Sequence, residues 1–206
     1  MITASEAIVQ LKEGNERFVN GVRSIDTIVK QIKREDFVKG QAPFAIILGC
    51  SDSRVPAEIV FDQGLGDLFV IRVAGNIVAP SQIGSVEFAA EVFGTPLVVV
   101  MGHSKCGAVM ATIEEIESNN PDKEHSQNIQ AIVSRIRPSV EPLFLTDLRN
   151  QPDKLLESAI RANILAATNH LRHGSEILER LIQEGKLQII GAEYSIETGI
   201  VTFIDS

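Results

Sequence analysis

Tryptophan is absent from this chain, tyrosine occurs once, at Tyr194, and cysteine only twice, at Cys50 and Cys106. Two cysteines in 206 residues cannot staple a small disulfide scaffold. Such a pair in a reducing compartment is free, catalytic or metal-bound. A surplus of basic charge is also missing: 19 Lys and Arg face 27 Asp and Glu, for a net charge of −8. That balance argues against nucleic acid and anionic membrane as partners, because both need a basic footprint. It leaves room for a small anion in a local basic pocket. No apolar run approaches the roughly 20 residues that cross a bilayer. The opening "MITASEAIVQLKEG" lacks the basic and apolar regions of a signal peptide, so the expected address is cytoplasmic.

The remaining composition, 44% hydrophobic and 22% charged, is that of a globular protein, and the length suits one domain over residues 1–206. "TASE" (Thr3–Glu6) fits a capping box opening an amphipathic helix with Ile8, Leu11 and Phe18 on one face. A more charged helix is expected over Ser24–Val38, so that residues 1–38 form a helical arm. The pattern then changes. "FAIILG" (44–49), "LFVIRV" (68–73) and "PLVVVMG" (96–102) are short, β-branched and almost wholly apolar, as strands buried on both faces must be. "SQIGSVEFAAEVFG" (81–94) supplies a crossover helix ending at Gly94. Residues 125–184 are helical, broken at Pro138, Pro142 and Pro152, and "KLQIIGAEYSIETGIVTFI" (186–204) gives a strand, a turn and a last strand. The expected class is therefore α/β: a mostly parallel sheet flanked by helices over 44–204, with an antiparallel edge strand near the C-terminus.

Cys50 and Asp52 fall at the carboxyl end of the first strand, His103 and Cys106 at that of the third. Ligands of open parallel sheets bind outside those ends, so C-x-D-x-R and H-x-x-C can converge although about fifty residues separate them. Alone, a buried cysteine is ordinarily a small hydrophobe and a buried histidine a satisfied core residue. Two thiols and an imidazole together are a zinc set, and three protein ligands leave a fourth position open for catalysis. Asp52 could be the fourth ligand or a group outside the ligand shell. Asp52–Arg54 elsewhere would be an ordinary surface ion pair. The amides around Cys106 and Gly107, opening the next helix, can hold an oxyanion. His125, His170 and His173 have no acidic or thiol partners in sequence and are expected on solvated faces; Tyr194 is expected to pack.

"CSDSRVPAE", "RVAGN" and "GHSKCGAV", in that order, closely resemble the β-class carbonic anhydrases over about Gln41–Val109. The resemblance implies one zinc ion on Cys50, His103 and Cys106, reversible hydration of CO2 to bicarbonate by a zinc-bound hydroxide, and a homodimer or larger even oligomer. Asp52 and Arg54 become a paired gate: the acid orients the attacking water, and the guanidinium keeps it off the metal. Gly107 falls where bicarbonate is held, Phe69 and Ala74 match apolar pocket positions, and Gln41 and Phe88 reach a neighbouring subunit's pocket. Plant-like members carry Tyr where Phe88 stands, so a phenol contact is lost. Some members hold a second bicarbonate that closes the gate beneath a Trp three residues before the first zinc cysteine. Here that residue is Ile47, and the gate is expected to rest open. Two alternatives remain at this stage: hydrolysis of CS2 or COS on the same fold, and a non-catalytic zinc protein whose site Asp52 closes.

Overall fold

The structure is a computed structural model describing residues 2–32, 38, 40–118 and 126–204. Helix α1 (Ala4–Val19) begins at the expected capping box: the Thr3 side chain accepts from the Glu6 amide, and the Glu6 carboxylate accepts from the Thr3 amide at 2.7 Å. Helix α2 spans Ile25–Ile32, shorter than the expected Ser24–Val38; Val38 lies in a turn, and 33–37 and His125 fall outside the described residues.

Strands β1 (Ala45–Gly49), β2 (Leu68–Arg72), β3 (Leu97–His103), β4 (Gln188–Tyr194) and β5 (Val201–Ile204) form one sheet in the order β2-β1-β3-β4-β5. The first four are parallel and β5 is antiparallel to β4. Because β1 lies between β2 and β3 in the sheet, the connection from β2 through α4 (Pro80–Val92) to β3 passes over it. The continuous apolar runs are explained by two-sided burial. Alternate side chains of a strand point to opposite faces. Ile47, Val99 and Met101 pack with Leu11, Val60 and Phe61 beneath α1 and α3 (Ala57–Val60). Ile46, Leu48, Val98 and Val100 pack with Val86, Leu171 and Leu178 on the other face, under α4, α7 (Pro152–His173) and α8 (Glu176–Gln183). Tyr194 joins the first of these clusters, and His170 and His173 are exposed, as expected.

One expected helix break is absent. Pro138 lies inside α6 (Gln127–Val140) rather than ending it. The ring removes an amide that would have bonded the Ser134 carbonyl, a loss the last turn tolerates because buried Ile136 and Val140 hold it on the core. Pro142 sits in a short 3-10 helix, Glu141–Leu145, and Pro152 opens α7 at a first-turn position where no amide is needed. Among the described residues, no helix is long and apolar enough to cross a membrane.

Candidate metal centre

β1 and β3 are neighbours in register, Gly49 opposite Met101, so both chains leave the sheet side by side. Cys50 follows β1 directly; His103 is the last residue of β3; Cys106 precedes α5 (Gly107–Ser118). Their ligand atoms lie within 4.8 Å of one another, and all three residues are buried. This is about twice the 2.0–2.3 Å bond that zinc makes with sulfur or nitrogen. Both cysteines are free.

The backbone around the cluster is tightly constrained. Gly75 donates its amide to Cys50 Sγ at 3.3 Å, and its carbonyl accepts from Asn163 Nδ2 at 2.8 Å. Glycine is required there twice over: φ is +69°, and a Cβ would lie 2.7 Å from Ile136 Cδ1. Arg72 spans the loop after β1, donating to the carbonyls of Cys50 at 3.0 Å and Asp52 at 2.6 Å.

His103 is oriented by its own neighbour. Its Nδ1 lies 2.8 Å from the Ser104 carbonyl, which can only accept, so Nδ1 carries the hydrogen. In the neutral ring Nε2 is then an acceptor, buried and without a hydrogen-bond partner. A buried acceptor left alone beside two thiols is costly unless a cation is meant to meet it. The proton balance agrees. Cys50 is pushed down towards thiolate, chiefly by its hydrogen bond with Cys106, against the cost of burial. Cys106 is pushed up, because it keeps the shared proton and is itself buried. Burial acts most strongly on His103 and opposes its charge, yet the neighbouring Cys50 sulfur and the Ser104 carbonyl raise its pKa. Protons held this way are those a dication displaces on binding. The residues fit zinc.

Asp52 stands beside this set without joining it. Arg54 Nε donates to Oδ1 at 2.9 Å, Nη2 to Oδ2 at 2.7 Å, and the Arg54 amide to Oδ1 at 3.0 Å. That grip holds the carboxyl well below the usual range. Oδ2, with one donor only, lies 3.9 Å from His103 Nε2 and keeps a free acceptor direction. Ile47 is fully buried between Val70 and Val99, so no aromatic platform exists at that position.

The other expected site residues are placed more loosely. Gly107 opens α5 beside the cluster. Ala74 begins a one-turn 3-10 helix with Gly75 and Asn76. Phe69 pairs with Ile46, three residues before the end of β2, and touches Phe88 and Phe93 at ring-centroid distances of 6.4 and 6.1 Å. Phe88 is half exposed, and Gln41 is exposed ahead of β1. Within one chain, then, Phe69 and Phe88 form an aromatic patch on α4 rather than part of the thiol cluster. Reading the residues one by one missed Arg72, Gly75, Asn163, Ser104 and Glu197. The segment "RVAGN" carried a signal for the first two, and nothing in composition marked the others.

The family described as carbonic anhydrase has a sequence model that matches residues 45–201. Carbonic anhydrase 2 of Mycobacterium tuberculosis is 39% identical over 194 residues, covering 92% of this chain and 87% of the relative. A carbonic anhydrase of Synechococcus elongatus is 31% identical over 200 residues, covering 90% of this chain and 70% of that one. Among solved structures, the β-carbonic anhydrase CcaA superposes with a TM-score of 0.72 at 25% identity, covering 98% and 92% of the two chains. The Coccomyxa enzyme, at 22% identity and a TM-score of 0.73 over 93% and 83%, shares the fold. With a sheet of this order, a Cys-His-Cys cluster at two strand ends and relatives of this kind, the chain belongs to the β-carbonic anhydrases.

Proposed function

We propose that this carbonic anhydrase hydrates CO2 reversibly to bicarbonate and a proton, with one zinc ion held by Cys50, His103 and Cys106. The observation that carries the reading is the buried, unpartnered Nε2 of His103 beside two thiols. Zinc, when bound, supplies Lewis acidity that brings the pKa of water from about 15.7 to about 7. The protein's own part is orientation. Asp52 Oδ2 accepts a hydrogen bond from the attacking water along its free direction and aims the water's lone pair at CO2. Arg54 occupies both carboxylate oxygens and so keeps Asp52 from entering the cluster as a fourth ligand. This bidentate pairing also speaks against a closed structural site, which would need Asp52 inward and would gain nothing from a competing guanidinium. The gate therefore rests open. The Gly107 amide, at the start of α5, holds a bicarbonate oxygen.

The same reading extends to self-association as a homodimer or larger even oligomer. Ile25 is 76% exposed and Val92 60%, next to half-exposed Phe88. Such surface is costly to leave in water, and the Sordaria macrospora β-carbonic anhydrases are described as tetrameric. Gln41 and Phe88 then meet a neighbouring subunit, with Phe69 and Ala74 lining the apolar side of the pocket. Two free thiols suit the reducing cytoplasm. Stopped-flow CO2 hydration on zinc-loaded protein tests the function: activity should appear with zinc, vanish on chelation and return on reloading. A zinc-loaded protein without hydration activity would refute it.

A further inference from the structure

The turn between β4 and β5 grips the loop that carries two of the three metal ligands. Its Tyr194 carbonyl accepts from the Ser104 amide at 2.9 Å, and its Ile196 amide donates to Ser104 Oγ at 2.9 Å. Ser104 Oγ donates in turn to Glu197 Oε2 at 2.6 Å. The other oxygen of Glu197 pairs with Lys105 Nζ at 2.8 Å. Lys105 itself holds a left-handed φ of +54°, a conformation that a non-glycine residue keeps only when its surroundings fix it. Ser104 and Lys105 lie between His103 and Cys106, and both of them end on one carboxylate.

What this grip controls is the Ser104 carbonyl, the acceptor that fixes the tautomer and ring plane of His103. We propose that Glu197 is a positioning residue for the metal centre: acting through Ser104, it holds the carbonyl that keeps His103 Nε2 bare and aimed at the two thiols. Glu197 stays ionised over the working range, since Lys105 above all, and then Ser104, pull its pKa down to about 2. The Ser195 hydroxyl, 3.3 Å from the same Oε2, also accepts from the Thr198 amide and braces the turn, not the ligand loop. The two serines therefore separate a role in holding the metal ligand from a role in shaping the turn.

The inference rests on the zinc reading above, and zinc affinity, measured by competition with a chromophoric chelator, tests both. Groups that orient a ligating histidine typically change metal affinity 10- to 100-fold when removed. Glu197 is partly exposed, so we expect the low end, a loss of about 10-fold in Glu197→Ala. Glu197→Gln keeps an oxygen that accepts from Ser104 and loses only the exposed pair with Lys105, so it should stay within about threefold of wild type. Ser195→Ala should bind zinc as wild type does. If Glu197→Ala does not fold, Ser104→Ala removes the donor while keeping the carbonyl and carries the same 10-fold expectation. Unchanged affinity in the alanine variant, a glutamine variant no better than it, or an equal loss in Ser195→Ala would overturn the assignment alone. A wild-type protein that binds no zinc would overturn the metal reading with it.

Discussion

Gly14 sits in the middle of α1, where replacing glycine with alanine usually stabilises a helix by about 1 kcal/mol. In this fold the sign reverses. A Cβ at Gly14 would lie 1.8 Å from the Phe61 carbonyl oxygen and 2.8 Å from its carbon, which is backbone and cannot rotate away. To restore ordinary contact, α1 must withdraw from α3 by about 1.5 Å. The neighbouring side chain cannot follow. Asn15 is buried and donates to the carbonyls of Val60 at 3.1 Å and Gly199 at 2.8 Å, while its oxygen accepts from the Val201 amide at 2.9 Å. A shift of that size breaks or strains all three, at about 1 kcal/mol each. Set against the helix-propensity gain, Gly14→Ala should destabilise by roughly 2–3 kcal/mol. For a chain of this length that lowers the thermal midpoint by roughly 4–12 °C. Calorimetry at matched protein concentration reads it directly. An unchanged or raised midpoint would show that α1 does not seat on α3 as described.

Other expectations bear on the site and the assembly. Arg54→Ala should retain zinc while losing about 10²-fold or more in CO2 hydration, because Asp52 is freed to enter the ligand cluster; normal turnover would contradict the gate. Arg54→Lys, which cannot grip both oxygens, should recover only part of that loss. Arg54 depresses the Asp52 pKa, so the stabilisation from this pair is complete above the ordinary carboxylate value of about 3.9 and is lost as pH falls through the lower, folded value. Carboxyl-carbon NMR should find Asp52 still ionised near pH ~3 and its midpoint moved back towards about 3.9 in Arg54→Ala; an ordinary wild-type midpoint would refute the pairing. Light scattering at micromolar concentration should give an even multiple of 22.4 kDa, and a monodisperse monomer would remove the proposed shared pocket.

The sequence alone determined the strands, because a strand buried on both faces has no freedom to be polar; Ala45–Gly49 and Leu97–His103 emerge within a residue or two of the apolar runs. It determined the first helix through the Thr3–Glu6 box, a local hydrogen-bond pattern written in four residues. It also marked Cys50, Asp52, Arg54, His103 and Cys106, since thiols, an imidazole and an ion pair at strand ends are chemically conspicuous. Strand order lay beyond it: nothing local places β1 between β2 and β3, yet that order is what sets Cys50 beside His103. Nor does local sequence reveal that Pro138 can remain within α6, because packing of Ile136 and Val140 decides it. The roles of Ser104, Arg72 and Glu197 belong to the tertiary structure entirely. Glu197 is one acidic residue among many, 93 positions from the serine it binds, and only the return of the chain through β4 gives it a histidine to orient.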